Sequence, residues 1–286
     1  MTMTRRDMML ASAAALAGSR LGHPSAGAHS IAPPGFRQSV SRWPFESIPL
    51  PEFARRAKAM GLAAIDLLQP DEWPVVADAG LVCSMGYPAR RDDFIATGFN
   101  DRANHPMLLK ELEATLPRAA RAGVPNVITM FGNRRGRSDA EGIGNCVAGL
   151  RQIAPAAEEL GVTICVELLN SKVDHADYMG DHTAFGVAVL KAIDSPRIKL
   201  LYDIYHMQIM EGDVIRTIRD NAAFIGHYHT GGVPGRHEID GTQELNYSAV
   251  ARAISATGFT GYLAHEFMPT KEPLTSLREA VEICER

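Results

Sequence analysis

Short apolar runs alternate with longer stretches of helical period along almost the whole chain. Runs rich in Val, Ile and Leu predict strands at Phe36–Ser41, Ala63–Leu67, Leu81–Ser84, Asn126–Met130, Thr163–Glu167, Ile198–Asp203, Phe224–His229 and Gly261–Glu266. Between them, a period near 3.6 predicts helices at Pro51–Met60, Glu72–Ala79, Met107–Ala122, Asp139–Leu160, Thr183–Ile193, from Asp213, at Ser248–Thr257 and from Leu274 onward. Several helices run into a glycine and then directly into an apolar strand, as in Ala-Gly-Leu-Val, Ala-Gly-Val-Pro and Leu-Gly-Val-Thr. That junction fits a left-handed helix cap followed by a buried strand. Strands that are apolar on both faces, each followed by a helix, build a parallel sheet. Eight such units in one domain-sized chain predict a closed (β/α)8 TIM barrel over residues 36–286, of α/β class. An open doubly wound sheet is the alternative, and no Gly-x-Gly-x-x-Gly follows the first strand to support it.

The N-terminus follows another pattern. Arg5 and Arg6 precede an apolar, Ala-rich stretch from Met8 to Ala17, and Ala26-Gly27-Ala28 offers small residues for cleavage. Residues 1–28 therefore read as a cleavable twin-arginine signal, with the mature protein exported, periplasmic and free of the membrane once the signal is cut. The formal charge of the whole chain is −4, and the leader holds Arg5, Arg6 and Arg20 against Asp7 alone, so the body is the more acidic part. An acidic body argues against a nucleic-acid partner. Cys83, Cys146, Cys165 and Cys284 show no Cys-x-x-Cys spacing, and Cys83 and Cys165 fall in core strands as small apolar residues.

The chemistry is concentrated at strand ends. The last four strands finish Thr-Ile-Cys-Val-Glu167, Leu-Leu-Tyr-Asp203, Gly-His-Tyr-His229 and Leu-Ala-His-Glu266. A barrel gathers its strand C-termini around one mouth, where active sites of this fold lie. Taken singly, Glu167 is a polar strand end, Asp203 a turn cap, and either His227 or His229 a hydrogen-bonded core histidine. Taken together, three carboxylates and an imidazole make an oxygen-rich metal site. Such a site suits one divalent ion, Mn²⁺ or Mg²⁺ first and Co²⁺ also. His265 points away from Glu266 by strand alternation and reads as structural.

These residues carry a family resemblance. Glu167, Asp203-Ile-Tyr-His206, His227-Tyr-His229 and Glu266 resemble the sugar isomerase/epimerase barrels related to xylose isomerase. The run Gly226-His-Tyr-His-Thr-Gly-Gly-Val-Pro-Gly-Arg-His-Glu238, with Glu244-Leu-Asn-Tyr247 after it, is similar to the hydroxypyruvate isomerase family. The resemblance implies a metal held by Glu167, Asp203, His229 and Glu266, with Glu167 and Glu266 also serving as catalytic acid and base. His206 and Arg236 match positions that hold substrate oxygens. The implied partner is a small keto-acid or sugar, with homo-oligomerisation open. The implied reaction is aldose–ketose isomerisation through an enediolate. Three departures from the hydroxypyruvate pattern stand out: His229 in place of glutamine, as in ketose 3-epimerases; Leu168 in place of proline; and a longer Ser171–Asp181 loop carrying Lys172, Asp174 and His175. A ketose 3-epimerase or a 3-oxo-sugar isomerase or lyase would use the same residues. An abasic-site endonuclease needs more histidine ligands and a basic groove, and a sugar-binding barrel would bind without proton exchange.

Overall fold

The computed structural model describes residues 35–285; the signal read at residues 1–28 lies outside them. Eight parallel strands form one sheet in the order β3-β2-β1-β8-β7-β6-β5-β4. They are β1 (Arg37–Ser41), β2 (Ala64–Asp66), β3 (Val82–Cys83), β4 (Asn126–Met130), β5 (Thr163–Leu168), β6 (Ile198–Asp203), β7 (Ile225–Thr230) and β8 (Tyr262–His265). The remaining seam closes just past β3. There Gly86 donates to the Asn126 carbonyl at 2.9 Å and accepts from the Ile128 N–H at 3.0 Å, completing the barrel.

The helices are α1 (Leu50–Ala59), α2 (Trp73–Asp78), α3 (His105–Ala122), α4 (Asp139–Leu160), α5 (Thr183–Ile193), α6 (Ile204–Met210), α7 (Val214–Asn221), α8 (Tyr247–Ala256) and α9 (Pro273–Glu285). None among the described residues is long and apolar enough to cross a membrane. Local chemistry sets their ends. The Ser138 side chain accepts the Glu141 N–H to open α4, and Asn246 does the same for Ala249 at α8, each satisfying a backbone donor that the first turn leaves unpaired. Gly123 and Gly161 end α3 and α4 at φ of 70° and 69°, a conformation in which a Cβ is strained.

The eight strands fall where the apolar runs placed them, within one or two residues. The helical layer differs by α6, which the alternation of units did not include. It begins on the last residue of β6: Asp203 Oδ1 accepts the His206 N–H at 3.2 Å and caps the helix. A seven-residue helix is too short to announce itself by periodicity. All four cysteines are buried and unpaired.

Parallel register positions the barrel mouth. It sets Asp203 beside His229, Met130 beside Glu167, and Ser41 beside Asp66. Ladder hydrogen bonds hold these residues at one level, so their side chains converge without relying on mobile loops.

Candidate metal centre and active site

Glu167, Asp203, His229 and Glu266 meet at the mouth. One ligand-capable atom from each lies within 4.8 Å of all the others. His229 Nδ1 is 2.8 Å from Glu266 Oε2, 3.6 Å from Glu167 Oε1 and 3.9 Å from Asp203 Oδ2. All four residues are buried. Three carboxylates this close, away from water, repel one another and lose hydration. Burial, reinforced by the charges of Glu266 and Glu167, pushes the Asp203 carboxyl up to about 7 even with Arg236 beside it. Burial likewise raises Glu167. Burial opposes ionisation of Glu266 too, but Arg236 and His229 hold its pKa well below the usual carboxylate range. The His229 imidazole, although buried, is driven well above its ordinary value by Glu266 and Asp66.

This is a site short of positive charge. The donor set is hard and oxygen-rich, and His229 Nδ1 makes no hydrogen bond despite its carboxylate neighbours. Both features fit a divalent cation held by these four side chains.

Arg236 supplies part of the missing charge. Its Nη2 donates to Asp203 Oδ2 at 3.0 Å and to Glu266 Oε2 at 2.5 Å, and the guanidinium lies 5.3 Å from the ring centroids of both Trp43 and Tyr205. A surface ion pair is thereby excluded: the side chain is 14% exposed and faces the site. The loop that presents it is pinned on both sides. Tyr247 exchanges two hydrogen bonds with the backbone of Gly231, accepting at 2.9 Å and donating at 2.8 Å. The Glu238 carboxylate accepts from the Thr270 and Lys271 N–H groups and the Ser276 hydroxyl. The Glu238 and Tyr247 positions of the sequence motif thus support the loop and do not enter the site.

His206 is fully buried below the same mouth. Its Nδ1 accepts the Asn170 backbone N–H at 3.2 Å, so the proton resides on Nε2, which has no hydrogen-bond partner and lies 3.7 Å from Asp203 Oδ2. Burial, then the Arg236 charge, holds its pKa well below normal, and the ring is neutral. His265 is structural, as strand alternation indicated: it bonds Gln38 Oε1 at 2.8 Å and lies 3.3 Å from the Thr230 hydroxyl. Lys172 donates to the carbonyls of Ile209 and Met210 at the end of α6, at 3.0 Å each, and so caps a helix. In the loop that follows β4, Arg134 and Arg137 pair with Asp139 and Asp101, and Asn133 faces the cavity that opens above the cluster.

Two participants were not identified from the sequence. Asp66, at the end of β2, accepts from His227 Nε2 at 2.8 Å and from His229 Nε2 at 3.0 Å through one oxygen. Burial penalises its charge, but the two imidazoles outweigh that and bring its pKa down to about 2. With Nε2 tied to Asp66, His229 presents Nδ1 to the carboxylates, the kind of support that fixes a metal-binding histidine's tautomer. The available signal was a lone acid inside an otherwise apolar strand. The second is Trp43, whose indole N–H donates to Glu266 Oε1 at 2.5 Å.

A cavity of about 670 Å³ opens above the cluster. Of the four clustered residues, Glu167 and Glu266 line it, while Asp203 and His229 lie beneath.

The barrel and its sequence match the xylose isomerase-like TIM barrel family model over residues 25–286. The chain belongs to that family. It is 36% identical over 116 residues to a 2-oxo-tetronate isomerase of Cupriavidus necator, covering 41% of this chain and 44% of the relative. It is 30% identical over 151 residues to the hydroxypyruvate isomerase of Escherichia coli, covering 47% and 58%. Each alignment thus spans roughly half of the curated relative, and the second relative bears the name of the family that the motifs resemble. A solved structure described as an AP endonuclease, family 2, from Brucella melitensis superposes with a TM-score of 0.76 at 21% identity, covering 86% of this chain and 99% of that one. At that identity the likeness shows the shared fold.

Two outcomes follow from this electrostatic arrangement. The cation-free site holds protons on His229 and on Asp203 that a bound cation must displace, so a falling pH favours the free site. Mn²⁺ affinity measured by calorimetry is expected to rise at least about tenfold from pH 6 to pH 8, and pH-independent affinity would refute this charge assignment. Asp66→Asn is expected to weaken Mn²⁺ binding by roughly 10–100-fold with the fold retained by circular dichroism; wild-type affinity would show that Asp66 does not orient His229.

Proposed function

We propose that the chain is a divalent-metal-dependent isomerase that moves a proton between adjacent carbons of an α-hydroxy carbonyl compound, either a hydroxypyruvate-type keto-acid or a sugar. The isomerase names of the curated relatives support this reading. The observation that carries it is the division of the four clustered residues. Asp203 and His229 sit fully enclosed, suited to holding a cation. Glu167 and Glu266 reach both the cluster and the cavity, suited to holding it and exchanging protons with a substrate.

Glu167, Asp203, His229 and Glu266 would hold the ion, with Mn²⁺ or Mg²⁺ the best match to the donors and Co²⁺ acceptable. When bound, such a cation supplies Lewis-acid stabilisation for the negative charge that develops on the two substrate oxygens. The remaining roles belong to the protein. One ionised glutamate accepts the carbon-bound proton, leaving an enediolate; the hydroxyl proton passes to the former carbonyl oxygen, the other glutamate, protonated at the start, gives its proton to the neighbouring carbon, and exchange with solvent resets the pair. The neutral His206 lies enclosed beneath the cavity lining with an unpartnered N–H on Nε2, and would donate it to a substrate oxygen that enters the cluster beside Asp203. Arg236, fixed between two aromatic rings, offers its fork to a substrate carboxylate or distal hydroxyl.

A second reading, ketose 3-epimerisation, is favoured by one feature, the imidazole of His229 where the hydroxypyruvate pattern has glutamine. The same two glutamates would then act on opposite faces of one carbon. An endonuclease reading lacks support: among the described residues, the potential metal-binding groups draw on two histidines, His227 and His229.

Glu266→Gln keeps the shape of the side chain and removes its basicity. Turnover and deuterium uptake from D₂O into substrate carbon should fall by roughly 10²–10⁴-fold in the metal-loaded variant while thermal unfolding stays cooperative. Unchanged exchange would remove Glu266 from the mechanism.

A further inference from the structure

Isomerisation needs one proton transfer that the two glutamates do not perform. Glu167 and Glu266 handle the protons on carbon. The hydroxyl proton must also leave its oxygen and reach the former carbonyl oxygen. A group suited to this accepts and then donates near neutral pH, as a neutral imidazole does. His206 does not qualify: its Nδ1 is filled by the Asn170 N–H, which leaves Nε2 able only to donate. Arg236 stays charged and has no lone pair to offer.

His175 has both properties. It belongs to the Ser171–Asp181 loop, whose length departs from the hydroxypyruvate pattern, and it lines the cavity together with Glu167, Arg236 and Glu266. Its ring centroid lies 5.3 Å from that of His206. Its ring nitrogens have no hydrogen-bond or ion-pair partner among the described residues. Burial, then the charge of Arg236, lowers its pKa, so the resting ring is neutral, with one N–H and one lone pair. The loop is folded to hold it there. The Asn170 carbonyl accepts the His175 N–H at 3.1 Å, and Asn170 Oδ1 accepts the N–H groups of Val173 at 3.0 Å and Asp174 at 2.9 Å. Asn170 Nδ2 donates to Asp174 Oδ2 at 2.6 Å and closes the turn. The residue whose N–H sets the tautomer of His206 therefore also shapes the turn that carries His175.

We infer that His175 is a third catalytic residue, which carries the substrate's hydroxyl proton to the former carbonyl oxygen. One ring nitrogen takes the proton from the hydroxyl of the enediolate, giving an imidazolium, and returns it to the neighbouring oxygen. The O–H bond broken on one oxygen is remade on the other, nothing is oxidised or reduced, and the ring ends as it began. This assignment rests on the isomerase reading.

The test uses the full chain loaded with Mn²⁺, with hydroxypyruvate and D-fructose as probes in D₂O. NMR reads two rates in each sample. Deuterium entry into the remaining ketone needs only the glutamates; aldehyde formation also needs the transfer between oxygens. In His175→Asn and His175→Ala, aldehyde formation should fall by roughly 10²-fold. Deuterium entry should stay within about threefold of wild type. Added imidazole should partly restore aldehyde formation in His175→Ala, and calorimetric Mn²⁺ affinity and unfolding temperature should not change in either variant. Wild-type aldehyde formation in both variants overturns the inference and leaves the isomerase reading standing. So does a parallel fall of both rates, the outcome of a purely structural role. A wild-type protein that exchanges deuterium without forming aldehyde also overturns it. Neither reaction with either probe in the wild type removes the isomerase reading, and this assignment with it.

Discussion

The site is organised around a concentration of negative charge that the fold itself creates. Parallel register brings three carboxylates to one level of the barrel mouth and encloses them. Taking such groups out of water costs several kcal/mol each unless positive charge or hydrogen bonds compensate. The protein compensates partly, with the Arg236 guanidinium and a His229 imidazole held by Asp66. The remaining deficit is the physical reason to assign a cation there. It also explains the pinned loop after β7, since a misplaced Arg236 would leave Asp203 and Glu266 without their nearest compensating charge.

Support for the site extends across the whole barrel. Asp66 reaches from β2 to two histidines on β7, and Trp43 reaches from the turn after β1 to Glu266. The β1–β4 side therefore orients residues that the β5–β8 side supplies. Asp203 serves twice, as a member of the cluster and as the cap of α6. That cap places His206 one turn into α6, with its free N–H 3.7 Å from an Asp203 oxygen.

Much of this could be read from the residue pattern. Short apolar runs separated by helical segments gave the barrel, because strands buried on both faces have few other compact arrangements. Glu167, Asp203, His229 and Glu266 could be placed together because strand C-termini share one mouth in this fold. The misses have physical causes as well. Asp66 is separated from His227 by more than half the chain, and only the closed sheet brings them together. Trp43 looked like an ordinary turn residue, since its indole hydrogen bond exists only once the turn folds over Glu266. Glu238 and Tyr247 belong to the most distinctive motif yet act as loop supports, and sequence spacing does not separate a residue that touches substrate from one that holds its neighbour. The loop residues that line the cavity, such as those from Ala89 to Ala96, lie on folded paths that carry no periodic signal.

The most direct measurement is anomalous diffraction from crystals of the protein grown with Mn²⁺. The account predicts a single strong peak within coordination distance of Glu167, Asp203, His229 Nδ1 and Glu266 together, with Asp66 still bonded to His229 Nε2. A peak at the Asp66–His227 pair instead, or no peak at the mouth at saturating Mn²⁺, would contradict it.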